Sequence, residues 1–161
     1  MKEIYDDEDI KLVDRAVALA EEGLRHGGGP FGAVICRGDK IISESYNQVV
    51  NTGDPTAHAE IIAIRKASEI IGTHDLSDCI LYSSCEPCPM CLGAIYWSGI
   101  KTVFYSSKRE DAASAGFNDA YIYEEIEKEP DQRNLRFIRV KGIDSNRVFR
   151  TWDDLEEKKT Y

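Results

Sequence analysis

Two short stretches carry the residues best suited to chemistry: Ala57-His58-Ala59-Glu60, and Ser84-Cys85-Glu86-Pro87-Cys88-Pro89-Met90-Cys91. Cys88 and Cys91 are three positions apart, so on a helix they share one face. Two thiolates there, with one imidazole from elsewhere, give a tetrahedral zinc ion three protein ligands. The fourth corner is left for water, which is the catalytic pattern rather than the closed structural one. Glu60 is not needed as a ligand. It follows His58 by two and is placed to handle the protons of that water.

Spacing alone does not choose the sulfurs, because Cys85 makes a second C-x-x-C with Cys88. A helix is expected from about Cys88 to Ser98, with proline tolerated in its first turn. It contains Cys88 and Cys91, whereas Cys85 precedes Pro87 and reads as loop. Cys88 and Cys91 are therefore the expected ligands. A lone C-x-x-C also fits redox and structural zinc sites. Joined to His58-Ala59-Glu60, it completes the H-x-E … P-C-x-x-C pattern of the zinc-dependent base deaminases.

Elements must bring these pieces together. Ile10, Val13, Val17, Ala20 and Leu24 recur at helical spacing over residues 8–26. Gly27-Gly28-Gly29-Pro30 ends that helix. Residues 31–36 and 41–46 read as strands joined by the turn Arg37-Gly38-Asp39-Lys40, hence a hairpin. An adhesion role for the Arg-Gly-Asp triplet is set aside, since the chain shows no secretion signal. Thr56 is the expected N-cap of a helix from Ala57 to about Ile71, stopped by Gly72. Residues two apart on a helix point roughly 200° apart, so His58 and Glu60 reach one metal only if the entry turn is distorted or Glu60 reaches round. A strand at 79–83, the helix at 88–98 and a strand at 101–105 form a βαβ unit with a parallel pair. Beyond it come a short helix at 120–126, a last strand at 135–140 and an amphipathic final helix bearing Val148, Phe149, Trp152 and Leu155. Cys36 and Cys79 fall in strand patterns and read as small core residues.

Composition bounds the classes. The 161 residues are 42% hydrophobic, enough for one domain, residues 1–161, with a sizeable core. No apolar run spans a bilayer, and the opening MKEIYDDEDI is acidic, unlike a signal peptide. Five cysteines, an odd number, argue against a disulfide framework and for a reducing cytoplasmic setting. The net charge of −9 argues against a nucleic-acid partner, because phosphate binding needs a basic surface.

Longer stretches resemble the bacterial guanine deaminases of the zinc-dependent cytidine/deoxycytidylate deaminase superfamily. They are Gly28–Ile35, Asp54–Glu60, Ser84–Trp97, Asp111–Asp119 and the terminal aromatic Tyr161. The resemblance implies an α/β fold of three layers, α-β-α, around a five-stranded mixed sheet of the cytidine deaminase type. It implies one zinc ion per chain and a homodimer that exchanges its C-terminal segment. The implied reaction converts guanine to xanthine and ammonia, with His58, Cys88 and Cys91 on the metal and Glu60 as proton shuttle. Asn47 would hydrogen-bond the purine. Phe31 and Trp97 would line the pocket, and Ala59 and Phe117 fall in the matching segments that border it. Asp119 would be a second acid near the exocyclic amine, and the partner subunit's Tyr161 would cover the site. Relatives carry two acids after the Gly-Phe; here the first is Asn118, leaving Asp119 to act. Competing readings are a deaminase of adenosine in tRNA, of cytosine, of a nucleoside or of an amino-triazine, and a non-catalytic zinc-binding domain. Glu60 argues against the last, since a structural zinc has no use for it.

Overall fold

The fold was obtained as a computed structural model, which describes residues 4–160; the expectation for Tyr161 falls outside the described residues. The chain divides into two compact units, Met1–Ala120 and Tyr121–Tyr161.

The first unit opens with α1 (Asp7–Arg25). Asp6 caps it by accepting from the backbone N–H of Glu8 and Asp9, while the Asp9 carboxylate returns to the Asp6 N–H. The hairpin follows as β1 (Gly32–Arg37) and β2 (Lys40–Tyr46), then the short α2 (Val49–Thr52) and α3 (Ala59–Ile71). β3 (Cys79–Cys85), α4 (Pro89–Trp97) and β4 (Thr102–Ser107) form the expected βαβ unit, with β3 and β4 parallel. α5 (Arg109–Ser114) leads toward α6 (Ala120–Glu127). The sheet runs β2-β1-β3-β4, with β1 antiparallel to both neighbours.

β1 shows the period of two that sets the layers. Ala33 and Ile35 pack with Ala59, Ala63, Leu81 and Ile95 on the face covered by α3 and α4. Val34 and Cys36 pack with Ala16, Leu19 and Tyr82 on the face covered by α1. The result is the expected α-β-α sandwich, with both ligand-bearing helices on one side of the sheet.

Four expectations need correction. The buried face of α1 is Ala16, Leu19, Ala20 and Gly23, with Ile10 and Leu24 exposed. Close approach decides the face: a Cβ on Gly32 would stand 2.1 Å from the Ala16 carbonyl oxygen, so small residues must meet there. α3 begins at Ala59 and α4 at Pro89, each later than expected by one or two residues. Cys85 is the end of β3, opposite Ser107, rather than loop. The described sheet has four strands, not five, because residues 135–140 form no ladder and Leu135, Ile138 and Val140 are exposed. An apolar run becomes a strand only when a neighbour takes its N–H and C=O groups.

The second unit holds α6 from Tyr121 onward, a single 3₁₀ turn (Pro130–Gln132) and α7 (Arg147–Asp153). Glu125 organises its first half. It pairs with Lys128 and accepts from the Asn134 backbone N–H at 2.7 Å. α7 buries no residue.

Candidate metal centre

Two helix starts and one strand end meet at the centre. Asp54 builds the entry to α3: its carboxylate accepts from the Thr56 N–H at 2.8 Å and the Thr56 hydroxyl at 2.7 Å, and its carbonyl accepts from the Ala57 N–H. Those bonds hold the Asp54 carboxyl below the usual range. They also deliver His58 as the N-cap of α3 in extended backbone, φ −70° and ψ 154°. Because His58 is not yet helical, it and Glu60 escape the opposed directions that a regular helix imposes. Cys88 is likewise the N-cap of α4, at φ −66° and ψ 168°, so only Cys91 of the pair lies inside that helix.

His58 Nδ1 lies 3.5 Å from Cys88 Sγ and 3.6 Å from Cys91 Sγ, and all three donor atoms fall within 4.8 Å of one another. Zinc bonds of about 2.3 Å to sulfur and about 2.0 Å to nitrogen, meeting at the tetrahedral angle, place S and N roughly 3.5 Å apart. The donor set therefore fits zinc in type and in size. The electrostatics agree. The Cys91 thiol and then His58 hold Cys88 down at about 4, against its burial. Cys91 is pushed strongly up by the Cys88 thiolate, by burial and by Glu60. Without a cation the pair keeps one proton; a divalent ion removes the like-charge penalty and lets both sulfurs ionise.

Glu60 is buried beside this triangle. Its Oε2 accepts from Cys91 Sγ at 3.4 Å and its Oε1 from the Ser83 hydroxyl at 3.3 Å. Burial raises its pKa above the ordinary carboxyl value. Ser83 is a partner that the sequence reading missed. Its only signal was a serine in an otherwise apolar run, with a period that turns it toward α3. Cys85 is committed elsewhere, with Sγ 3.6 Å from the Lys108 carbonyl oxygen, and burial pushes its thiol up to about 11.

Asn47 is buried at the end of β2, its N–H donating to the Phe31 carbonyl. Its amide is packed against Gly29, where an added Cβ would meet Asn47 Oδ1 at 2.9 Å. Phe31 stands edge-on to Phe117, ring centres 5.0 Å apart. Ala59 is fully buried as the first residue of α3. Asp119 is half-buried, and one carboxylate oxygen is enclosed without a hydrogen-bond partner among the described residues. Burial and then the charge of Cys88 raise its pKa above the ordinary value. Asn118 is exposed. Trp97, the last residue of α4, is 67% exposed and is not enclosed in the site.

A three-layer mixed sheet with a His-Cys-Cys donor set and a buried glutamate defines a class. Residues 6–107 match the cytidine and deoxycytidylate deaminase zinc-binding region, and the chain belongs to that family. Within it the chain is 53% identical to guanine deaminase of Bacillus subtilis over 151 residues, 93% of this chain and 97% of the relative. The crystal structure of the Bacillus subtilis guanine deaminase superposes with a TM-score of 0.92 at 50% identity, covering 98% of this chain and 99% of that one. The tRNA-specific adenosine deaminase of Aquifex aeolicus is 38% identical over 105 residues, 64% of this chain and 70% of the relative. Among the described residues no helix is long and apolar enough to cross a membrane.

Proposed function

We propose that this chain hydrolyses guanine to xanthine and ammonia in the cytoplasm, as a single deaminase domain over residues 1–161 with one zinc ion per chain. The observation that carries the reading is a buried acid, Glu60, set against a zinc-sized His58-Cys88-Cys91 triangle. The near full-length likeness to a guanine deaminase supplies the substrate. Zinc held by those three residues supplies a water whose pKa falls to about 7.

The chain's own residues do the rest. Glu60 Oε2 takes a proton from the attacking water and delivers it to the ring nitrogen beside the carbon bearing the amino group. It then takes the remaining proton of the added hydroxyl and gives it to the amine as that group leaves. Burial suits Glu60 to this exchange, since a raised pKa makes its carboxylate a stronger base and keeps the proton available. Ser83 holds Oε1, which leaves Oε2 facing the reaction. Asn47 hydrogen-bonds the purine, and Phe31, Phe117 and Ala59 border it. Asp119, whose enclosed oxygen has no hydrogen-bond partner among the described residues, acts with Glu60 in protonating the departing amine. We assign Trp97 and the partner subunit's Tyr161 to covering the pocket in a homodimer with exchanged C-terminal segments. Support for that assembly comes from exposed apolar residues on the second unit, Phe137, Ile138 and Phe149 among them.

A second reading, adenosine deamination in tRNA, is favoured by the Aquifex aeolicus relative. The net charge of −9 weighs against it, because a nucleic-acid surface is basic. Ultraviolet absorbance with guanine, guanosine, adenine and cytosine, and inosine formation in an anticodon stem-loop, separate the readings. The expected result is turnover of guanine, lost with chelator and restored by zinc. A zinc-loaded protein inert toward guanine and active on the stem-loop would reverse the order.

A further inference from the structure

We propose that the Glu86–Arg109 ion pair is a positioning device that sets where the Asp119 carboxylate stands relative to the zinc ligands. The inference deepens the reading above and rests on Asp119 handling a proton.

Glu86 lies two residues ahead of Cys88, so it moves with the segment that delivers that ligand. Its N–H donates to the Ser107 carbonyl at 2.9 Å, continuing the β3–β4 pairing past Cys85. Its carboxylate reaches across to the start of α5. Oε1 accepts from Arg109 Nη2 at 2.7 Å and Oε2 from the Arg109 backbone N–H at 3.4 Å. One residue thereby ties the cysteine segment to both the side chain and the first amide of α5.

α5 carries Asp119. The helix ends at Ser114, the chain reverses through Gly116 at φ +95°, and the Phe117 N–H returns to the Ala112 carbonyl at 3.0 Å. The Asp119 N–H donates to the Phe117 carbonyl at 3.2 Å. The turn that bears Asp119 thus hangs from a helix of six residues whose other end is held by Glu86. Asp119 Oδ1 has no hydrogen-bond partner among the described residues. Its placement is inherited from α5. Arg109 also lowers the Asp119 pKa, against burial, so its charge is felt there.

The pair is not a large source of stability. The Arg109 and Glu86 side chains are 38% and 20% exposed, and such pairs contribute little to folding. That makes kinetics a clean readout. The experiment uses the zinc-loaded enzyme with guanine and measures kcat, KM, zinc per chain and Tm. The variants are Arg109→Ala, Arg109→Lys, Glu86→Gln, Asp119→Asn and the double variant Arg109→Ala/Asp119→Asn. A carboxylate displaced by about 1 Å can cost on the order of 100-fold. Arg109→Ala and Glu86→Gln are therefore expected to lower kcat at least about tenfold, with KM within about twofold. Zinc stays at one per chain, and Arg109→Lys recovers most of the loss. In the Asp119→Asn background, removing Arg109 should cost under about twofold, because the two act as a unit. An undiminished penalty in that background, or an unchanged kcat in Arg109→Ala, overturns the positioning role. Full kcat in Asp119→Asn alone removes the acid role of Asp119 instead, and the device falls with it.

Discussion

Sulfur chemistry at the centre is set by neighbours rather than by cysteine as such. Cys88 is held at about 4, whereas burial holds Cys36 and Cys85 at about 11. In metal-free protein at pH 6, Cys88 is a thiolate and the others are thiols. Iodoacetamide should then label Cys88 first, and zinc should block it; mass spectrometry of the peptides decides, and preferential labelling of Cys85 would contradict the assignment. Glu60 is the second residue-scale test. Glu60→Gln keeps the shape and the Ser83 contact but cannot exchange the proton. It should keep zinc and lose on the order of 10²–10⁴-fold in kcat, the usual worth of a positioned acid–base group. Wild-type turnover in that variant, measured with its metal content, would take Glu60 out of the reaction.

Elements matter here mostly at their ends. α3 and α4 both present a ligand at the N-cap, where backbone is extended and the side chain is free of the helical wheel. Their positive ends favour the ionised sulfurs. The Asp54 turn that aims His58 is a shell one step removed from the metal. Asp54→Ala should cost roughly 10–100-fold in zinc affinity or activity, the usual worth of such partners, with little change in far-ultraviolet dichroism. Competition against a calibrated chelator reads the affinity. The depressed Asp54 carboxyl is ionised at neutral pH; the bonds it makes are present above the unfolded value of about 3.9 and are lost as pH falls through the lower folded value. On the opposite face of the sheet, Gly32 lets α1 touch β1. Gly32→Ala would put Cβ 2.1 Å from the Ala16 oxygen and 2.7 Å from the Ala20 nitrogen, both backbone atoms that cannot swing aside. Overpacking of that kind costs about 3 kcal/mol, visible as a lowered Tm. An unchanged Tm would mean that the helix shifts freely.

At the scale of the whole molecule, the uncovered apolar surface is the outstanding fact. Leu135, Ile138, Val140, Ile143, Val148 and Phe149 are all more than half exposed, and all belong to the second unit. So much apolar surface in one stretch marks an interaction site. A second copy of the chain, with segments exchanged, is the proposed cover. Light scattering should return twice the chain mass across the concentrations used for assay. A monomer with full activity at the lowest of them would dismiss the exchange. The net charge of −9 opposes non-specific approach to other acidic surfaces.

The sequence by itself determined the donor types, one imidazole and two sulfurs, the buried sheet with its period-two strands and the parallel β3–β4 unit. These are properties of residue type and near spacing, and they survive whatever the rest of the chain does. Tertiary structure decided what spacing leaves open. It chose Cys91 over Cys85 because β4 and α5 turn the Cys85 sulfur toward the Lys108 carbonyl. It placed the Ser83 hydroxyl on Glu60 from a strand 23 residues away. It enclosed Asp119 and left residues 135–140 without a strand to pair with. Each of these outcomes depends on a partner distant in sequence, and hydrogen bonding and burial become definite only once that partner has arrived.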